Sequence, residues 1–118
     1  MNSTRQSYAI RIIDSLQADI DNPRFWRRRH PRLQRRFRLV LDMLSTDPYA
    51  AARSERLRHD FSGLRSAVLV NQWRLIFKVC EECRRDGFHD NNPIDCCRNE
   101  VDAPDNTVNV IEISDHYA

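Results

Sequence analysis

The clearest periodicity in the chain falls between Pro31 and Pro48. Leu33, Phe37, Val40, Leu41 and Leu44 recur three and four residues apart, the spacing that lines one side of an α-helix. Arg32, Arg35, Arg36 and Arg38 fall mostly off that stripe. Asp47-Pro48 ends it, because proline disfavours helical backbone in the residue before it. Two other stretches alternate. Trp73, Leu75, Phe77 and Val79 fall on one face and Arg74, Ile76 and Lys78 on the other, the period of a β-strand. The β-rich run Leu64–Val70 precedes it, and Asn71-Gln72 between them suits a tight hairpin. Thr107–Ile113, with Val108, Val110, Ile111 and Ile113 apolar, is the last predicted strand.

The other segments are less patterned. Tyr8, Ile10 and Ile12 alternate as in a strand, while Tyr8, Ile12, Leu16 and Ile20 also fit a helical face. We assign Tyr8–Ile13 to a first strand, with Asp14 or Ser15 capping a helix after it. Asn22-Pro23 is a second helix start, and Pro31 places a break near His30. Tyr49–Asp60 has no period and reads as a loop with room for one helical turn; Ser62-Gly63 is a turn. Glu81–Asn106 is acidic, rich in Asn and interrupted by Pro93 and Pro104. It reads as a long insertion between two strands. The order predicts an α+β fold: a small antiparallel sheet of three to four strands, with two N-terminal helices packed on one face.

At 118 residues the chain is expected to form one domain, 1–118, with the Cys-containing insertion at about 81–106 inside it. No run of about 18 apolar residues is present, so no membrane helix and no membrane partner is expected. The first residues, M-N-S-T-R-Q-S-Y, have no apolar core after their Arg and do not read as a secretory signal. The cytoplasm is the expected location. The net charge of +2 hides an asymmetry. Of the 19 basic residues 18 are Arg, and eight of these fall between Arg24 and Arg38. A basic face of this kind points to a polyanion partner, against the plainer reading of a solvated Arg-rich helix.

Several segments, in order, resemble the RelE/ParE superfamily of bacterial toxin–antitoxin toxins, nearest to the branch of YoeB/Txe and RelE mRNA interferases. Leu44–Pro48 (L-S-T-D-P) is similar to the family's helix end. Glu55-x-Leu57 followed by Phe61-Ser62-Gly63-Leu64-x-Ser66 is similar to its charged loop and second strand. Asn71-Gln72-Trp73-Arg74-Leu75-Ile76-Phe77 is similar to its third strand, and His116-Tyr117 to its C-terminal signature. His59 stands where relatives often carry Gly, and Ala118 follows the His-Tyr ending. The resemblance covers about Pro23 to Tyr117 without the insertion. It implies the RelE-like fold and a ribosome-dependent endoribonuclease that cuts mRNA in the ribosomal A site without a catalytic cofactor. Its implied partners are a cognate antitoxin, the ribosome and mRNA, in a homodimer or a toxin–antitoxin hetero-oligomer.

A metal-free ribonuclease must activate a 2′-hydroxyl, stabilise added negative charge on the phosphate and protonate the departing 5′-oxygen. Glu55 is the candidate base, its ionised form favoured by Arg53, Arg56 and Arg58; the plainer reading is a surface carboxylate among Arg neighbours. Arg74 is the candidate charge clamp, its planar fork suited to phosphate; otherwise it makes a cross-strand ion pair. His116 is the candidate acid, since imidazole titrates near neutrality, or an exposed terminal side chain. Tyr117 can stack on a base or bond to phosphate. Arg56, Arg58, His59 and Arg65 are candidate contacts to RNA backbone.

Cys80-x-x-Cys83 and Cys96-Cys97 have zinc-like spacing, although the adjacent pair is an unusual second half. One Cys with His89 or Asp90 can also complete a tetrahedral set. Structural zinc and free thiols both remain open. Three functional readings remain as well: the mRNA interferase, a ParE-like toxin acting on DNA gyrase, and either a catalytically inactive homologue that only binds its antitoxin or a zinc-tethered RNA-binding module.

Overall fold

The computed structural model describes residues 7–87 and 103–115. In chain order it comprises β1 (Ala9–Ile12), α1 (Asp14–Ile20), α2 (Pro23–Arg27), α3 (Leu33–Thr46), β2 (Glu55–Arg56), β3 (Arg65–Val70), β4 (Trp73–Val79), α4 (Cys80–Asp86) and β5 (Thr107–Ser114). Short 3-10 turns occupy Ala51–Arg53 and His59–Phe61.

The apolar stripe of α3 buries Leu33, Phe37, Val40 and Leu44. The break before it falls at His30, whose Nδ1 accepts from Arg32 N at 3.1 Å. Asn22 caps α2 as expected, its Oδ1 accepting from Arg24 N at 3.0 Å, with Pro23 in the first turn. The cap predicted for α1 is not made. Ile13 holds the cap position without a side-chain bond, and Asp14 lies in the first turn, where a carboxylate still favours the helix dipole.

The sheet has five strands in the order β1-β5-β4-β3-β2. It is mixed, not wholly antiparallel, because β1 runs parallel to β5 with Ala9 opposite Thr107 and Ile12 opposite Val110. The chain crosses over through three helices between β1 and β2, which lets β1 return on the far side of β5 as a parallel neighbour. The other pairings are antiparallel. On one face Ala67, Leu69, Leu75, Phe77, Val79, Val108, Val110 and Ile113 join Leu16 and the α3 stripe in the main core. On the other, Leu64, Ile76 and Ile111 form a smaller apolar cluster with Ile13 and Leu57.

Val110-Ile111, two apolar neighbours in an alternating strand, marks a bulge. Phe77 pairs with Val110 and Ile76 with Glu112, so Ile111 is the extra residue. Without it, Ile113 would face away from Leu75 instead of pairing with it.

The segment after β4 departs from the sequence reading. Cys80 opens α4 and does not extend the strand, and Gly87 closes the helix in the left-handed region at φ 80°. Glu81 fixes this helix against the body of the domain. Its Oε1 accepts from Tyr8 Oη at 2.6 Å and from Tyr49 Oη at 2.7 Å, and the two rings meet edge to face. Burial, then the bond to Glu81, push the Tyr8 hydroxyl up to about 12 and the Tyr49 hydroxyl well above its ordinary range. Because the folded state holds these protons more tightly, the contribution is complete below the unfolded tyrosine value of about 10. It is lost as pH rises from there through about 12. The thermal midpoint is therefore expected to fall from pH 10 to 12 more steeply in the wild type than in Tyr8→Phe/Tyr49→Phe, measured by circular dichroism.

Candidate active site

The strand register places two of the predicted residues on one face. Glu55 pairs with Ser66, Ser66 with Ile76 and Ile76 with Glu112. One row along, Val68, Arg74 and Ser114 are paired. Paired residues share a face, so Glu55 and Arg74 both lie opposite α3. Their backbones are about 12 Å apart by strand geometry, two strands across and two residues along.

Arg74 is half-buried, and its Nε is buried without a hydrogen-bond partner among the described residues. An unpaired buried N–H costs about 1–3 kcal/mol; Arg29 Nε, on the helical side, is the other such atom among the described residues. Ser114 beside it is the last residue of β5. The chain therefore leaves the sheet next to Arg74. His116 and Tyr117, the predicted acid and its neighbour, lie outside the described residues.

Glu55 is exposed, and its carboxylate has no hydrogen bond or ion pair among the described residues. With Arg56, Arg58, Leu57, Gly63, Glu82 and Asp86 it lines a cavity of about 770 Å³ between the β2 loop and α4. Arg74 lies outside that cavity. The loop approaches β2 through Ala52 and Arg53, both left-handed at φ 47° and 57°. His59 is exposed and also left-handed at φ 57°. It takes the conformation that a Gly adopts without steric cost.

Arg65 occupies a different environment from the one expected of a phosphate contact. It is 9% exposed. Its Nε and Nη2 donate to Glu82 at 2.9 and 3.0 Å, its Nη1 donates to Ser54 Oγ at 3.0 Å, and its guanidinium lies over the Tyr49 ring at 4.9 Å. Arg56 also donates to Glu82, from Nε at 3.1 Å, and its Nη2 pairs with Asp86 at 3.1 Å. The Asp86 carboxyl is held below its ordinary range, chiefly by its hydrogen bond from Arg85. Sequence reasoning missed Glu82. The helix signals around it, acidic Glu81 and Glu82 before basic Arg84, Arg85 and a Gly, mark its location but not its partners.

The helical face carries a separate charge pattern. Arg24, Arg27, Arg28, Arg32, Arg35 and Arg38 are exposed and make no ion pair among the described residues. The ion pairs of Arg56, Arg65, Arg84 and Arg85 instead gather around α4.

Cys80 and Cys83 are fully buried with Ala103. Asn109 Nδ2 donates to Cys80 Sγ at 3.1 Å, and Cys83 Sγ donates to Gly63 O at 3.3 Å. Cys96, Cys97, His89 and Asp90 lie outside the described residues. Among the described residues no group of three or more His, Cys, Asp or Glu side chains is placed to hold a metal ion. The two described thiols are both engaged and do not complete a zinc site by themselves. No helix among the described residues is long and apolar enough to cross a membrane.

Neither a protein-family profile nor a curated protein matches the sequence. Solved structures do match the fold. A YoeB/ParE toxin from Agrobacterium tumefaciens superposes with a TM-score of 0.58 at 17% identity, covering 92% of this chain and 99% of that one. The toxin–antitoxin complex RelBE2 from Mycobacterium tuberculosis gives 0.55 at 16% identity, over 92% and 96% of the two chains. The YoeB–YefM complex from Staphylococcus aureus gives 0.56 at 12% identity, over 93% and 98%. With β5 seated between β1 and β4 and helices over one face, the polypeptide has the RelE/ParE-type toxin fold.

Proposed function

We propose that the protein is the toxin of a toxin–antitoxin pair and acts as an endoribonuclease on mRNA in the ribosomal A site. The observation that carries the reading is Arg74, whose buried Nε lacks a partner among the described residues on the face it shares with Glu55, at the point where the chain leaves β5. Glu55 takes the proton of a ribose 2′-hydroxyl. The 2′-oxygen attacks phosphorus, and the Arg74 fork stabilises the added charge. The bond from phosphorus to the 5′-oxygen breaks, and His116 gives that oxygen its proton. The products are a 2′,3′-cyclic phosphate and a 5′-hydroxyl. No step requires a metal ion. Tyr117 stacks on a base, Arg58 and His59 contact the backbone at the cavity edge, and the exposed arginines of α2 and α3 supply charge attraction to RNA. The same surfaces are silenced by a cognate antitoxin, and the protein works in the cytoplasm.

Induced expression followed by primer extension on cellular mRNA tests this reading. Cuts within translated messages are expected for the wild type. Glu55→Ala and His116→Gln are each expected to lower cutting by about 10²-fold, the usual contribution of a positioned acid or base. Growth arrest with intact mRNA and damaged DNA would favour action on gyrase, and no arrest at all would favour an inactive, antitoxin-binding homologue.

A further inference from the structure

β2 has two residues, too few to hold a fixed position through its own pairing. It is approached through two left-handed residues, Ala52 and Arg53, a backbone that persists only where its surroundings over-determine it. We propose that Glu82, on α4, is the positioning residue that supplies this constraint and presents Glu55. Its role in catalysis rests on the reading of Glu55 as the base.

The Glu82 side chain is 5% exposed and receives three hydrogen bonds. Two come from Arg65, at 2.9 and 3.0 Å, and one from Arg56, at 3.1 Å. Arg65 then reaches Ser54 through its remaining Nη1. The residue before Glu55 and the residue after it are thus both tied to one carboxylate, the first through Arg65 and the second directly. Glu55 itself is left without a partner among the described residues, at the wall of the cavity. The helix that carries Glu82 is seated independently. Cys83 bonds to Gly63 O, and Glu81 receives both tyrosine hydroxyls. A buried carboxylate with three donors has one favourable arrangement, and breaking it strands the Arg65 charge. The clamp therefore fixes β2 more firmly than its own ladder can.

The test compares wild type, Glu82→Gln and Arg56→Gln by amide hydrogen exchange with mass spectrometry. Glu82→Gln is expected to speed exchange across residues 54–57 by at least about tenfold while α3 changes by less than about twofold. Arg56→Gln, whose parent side chain is 57% exposed and whose loss spares the core, is expected to give a smaller acceleration in the same place. It keeps the test decisive if Glu82→Gln fails to fold. In the mRNA cleavage assay Glu82→Gln is expected to lower kcat at least about tenfold with KM within about twofold, and Glu82→Asp to recover part of it. Unchanged exchange at 54–57, equal acceleration in α3 and β5, or an undiminished kcat beside faster exchange would each overturn the proposal. A wild type that cleaves no mRNA would overturn the proposed function, while the exchange result would still decide whether Glu82 fixes the Glu55 segment.

Discussion

Replacing Arg74 with Ala is expected to lower mRNA cleavage by about 10²- to 10³-fold, the usual loss when one preorganised donor to developing charge is removed. The same change should cost the fold little. Arg74 Nε is already buried without a partner among the described residues, so removing it relieves an unpaired donor. Arg74→Met, which keeps the apolar stem, is expected to match or exceed wild-type stability by up to about 1 kcal/mol in urea unfolding. Arg74→Lys is expected to recover only a small part of the activity, because a point charge does not reproduce a two-pronged fork. An Arg74→Met protein that unfolds more than about 2 kcal/mol more easily yet still cuts mRNA would make Arg74 a structural residue.

The largest stability effect is expected at Phe77. It is fully buried in β4 and packs in the main core with Phe37, Val40 and Leu44. It also sits opposite the bulge, paired with Val110 on one side and Arg65 on the other. Phe77→Ala should cost about 4 kcal/mol, from lost transfer energy and the cavity left among side chains anchored by three elements. A chain of this size is stable by about 6–18 kcal/mol in all, so the midpoint in urea should fall sharply with the slope unchanged. Leu39→Ala, at a position 47% exposed, is the control and should change stability by under about 0.5 kcal/mol. A loss below about 2 kcal/mol at Phe77 would mean that the core closes around the gap.

How much of this was legible in the sequence depended on the range of the interaction. The α3 stripe and the β3–β4 hairpin are written in neighbouring residues, and both formed as predicted. The alternation of Tyr8–Ile12 identified a strand but not its parallel partner, because pairing with β5 spans most of the chain and leaves no local trace. β2 was read as loop because two residues show no period. The Cys80-x-x-Cys83 spacing drew attention to metal chemistry, while the charges and the Gly around it carried the helix signal. Arg65 shows the limit for the site. Its residue type and position suited RNA, but a carboxylate 17 positions away engages it in the fold. Glu55 and Arg74 were read as candidates from residue chemistry and motif position, and only the register of three strands puts them on one face.

The strand order also governs when this protein can exist as a folded object. Of the described strands β5 is made last but lies second in the sheet, between β1 and β4. Until it emerges during synthesis, β1 has no neighbour in the sheet and β4 has only β3. The ends are then fastened across almost the whole chain, as in the bond from Asn106 to Ser7, 99 positions apart. Such long-range closure is the slow part of folding, and here it must wait until β5 has been made. A nascent chain therefore cannot place Arg74 beside the end of β5 until β5 itself has emerged and paired with β4.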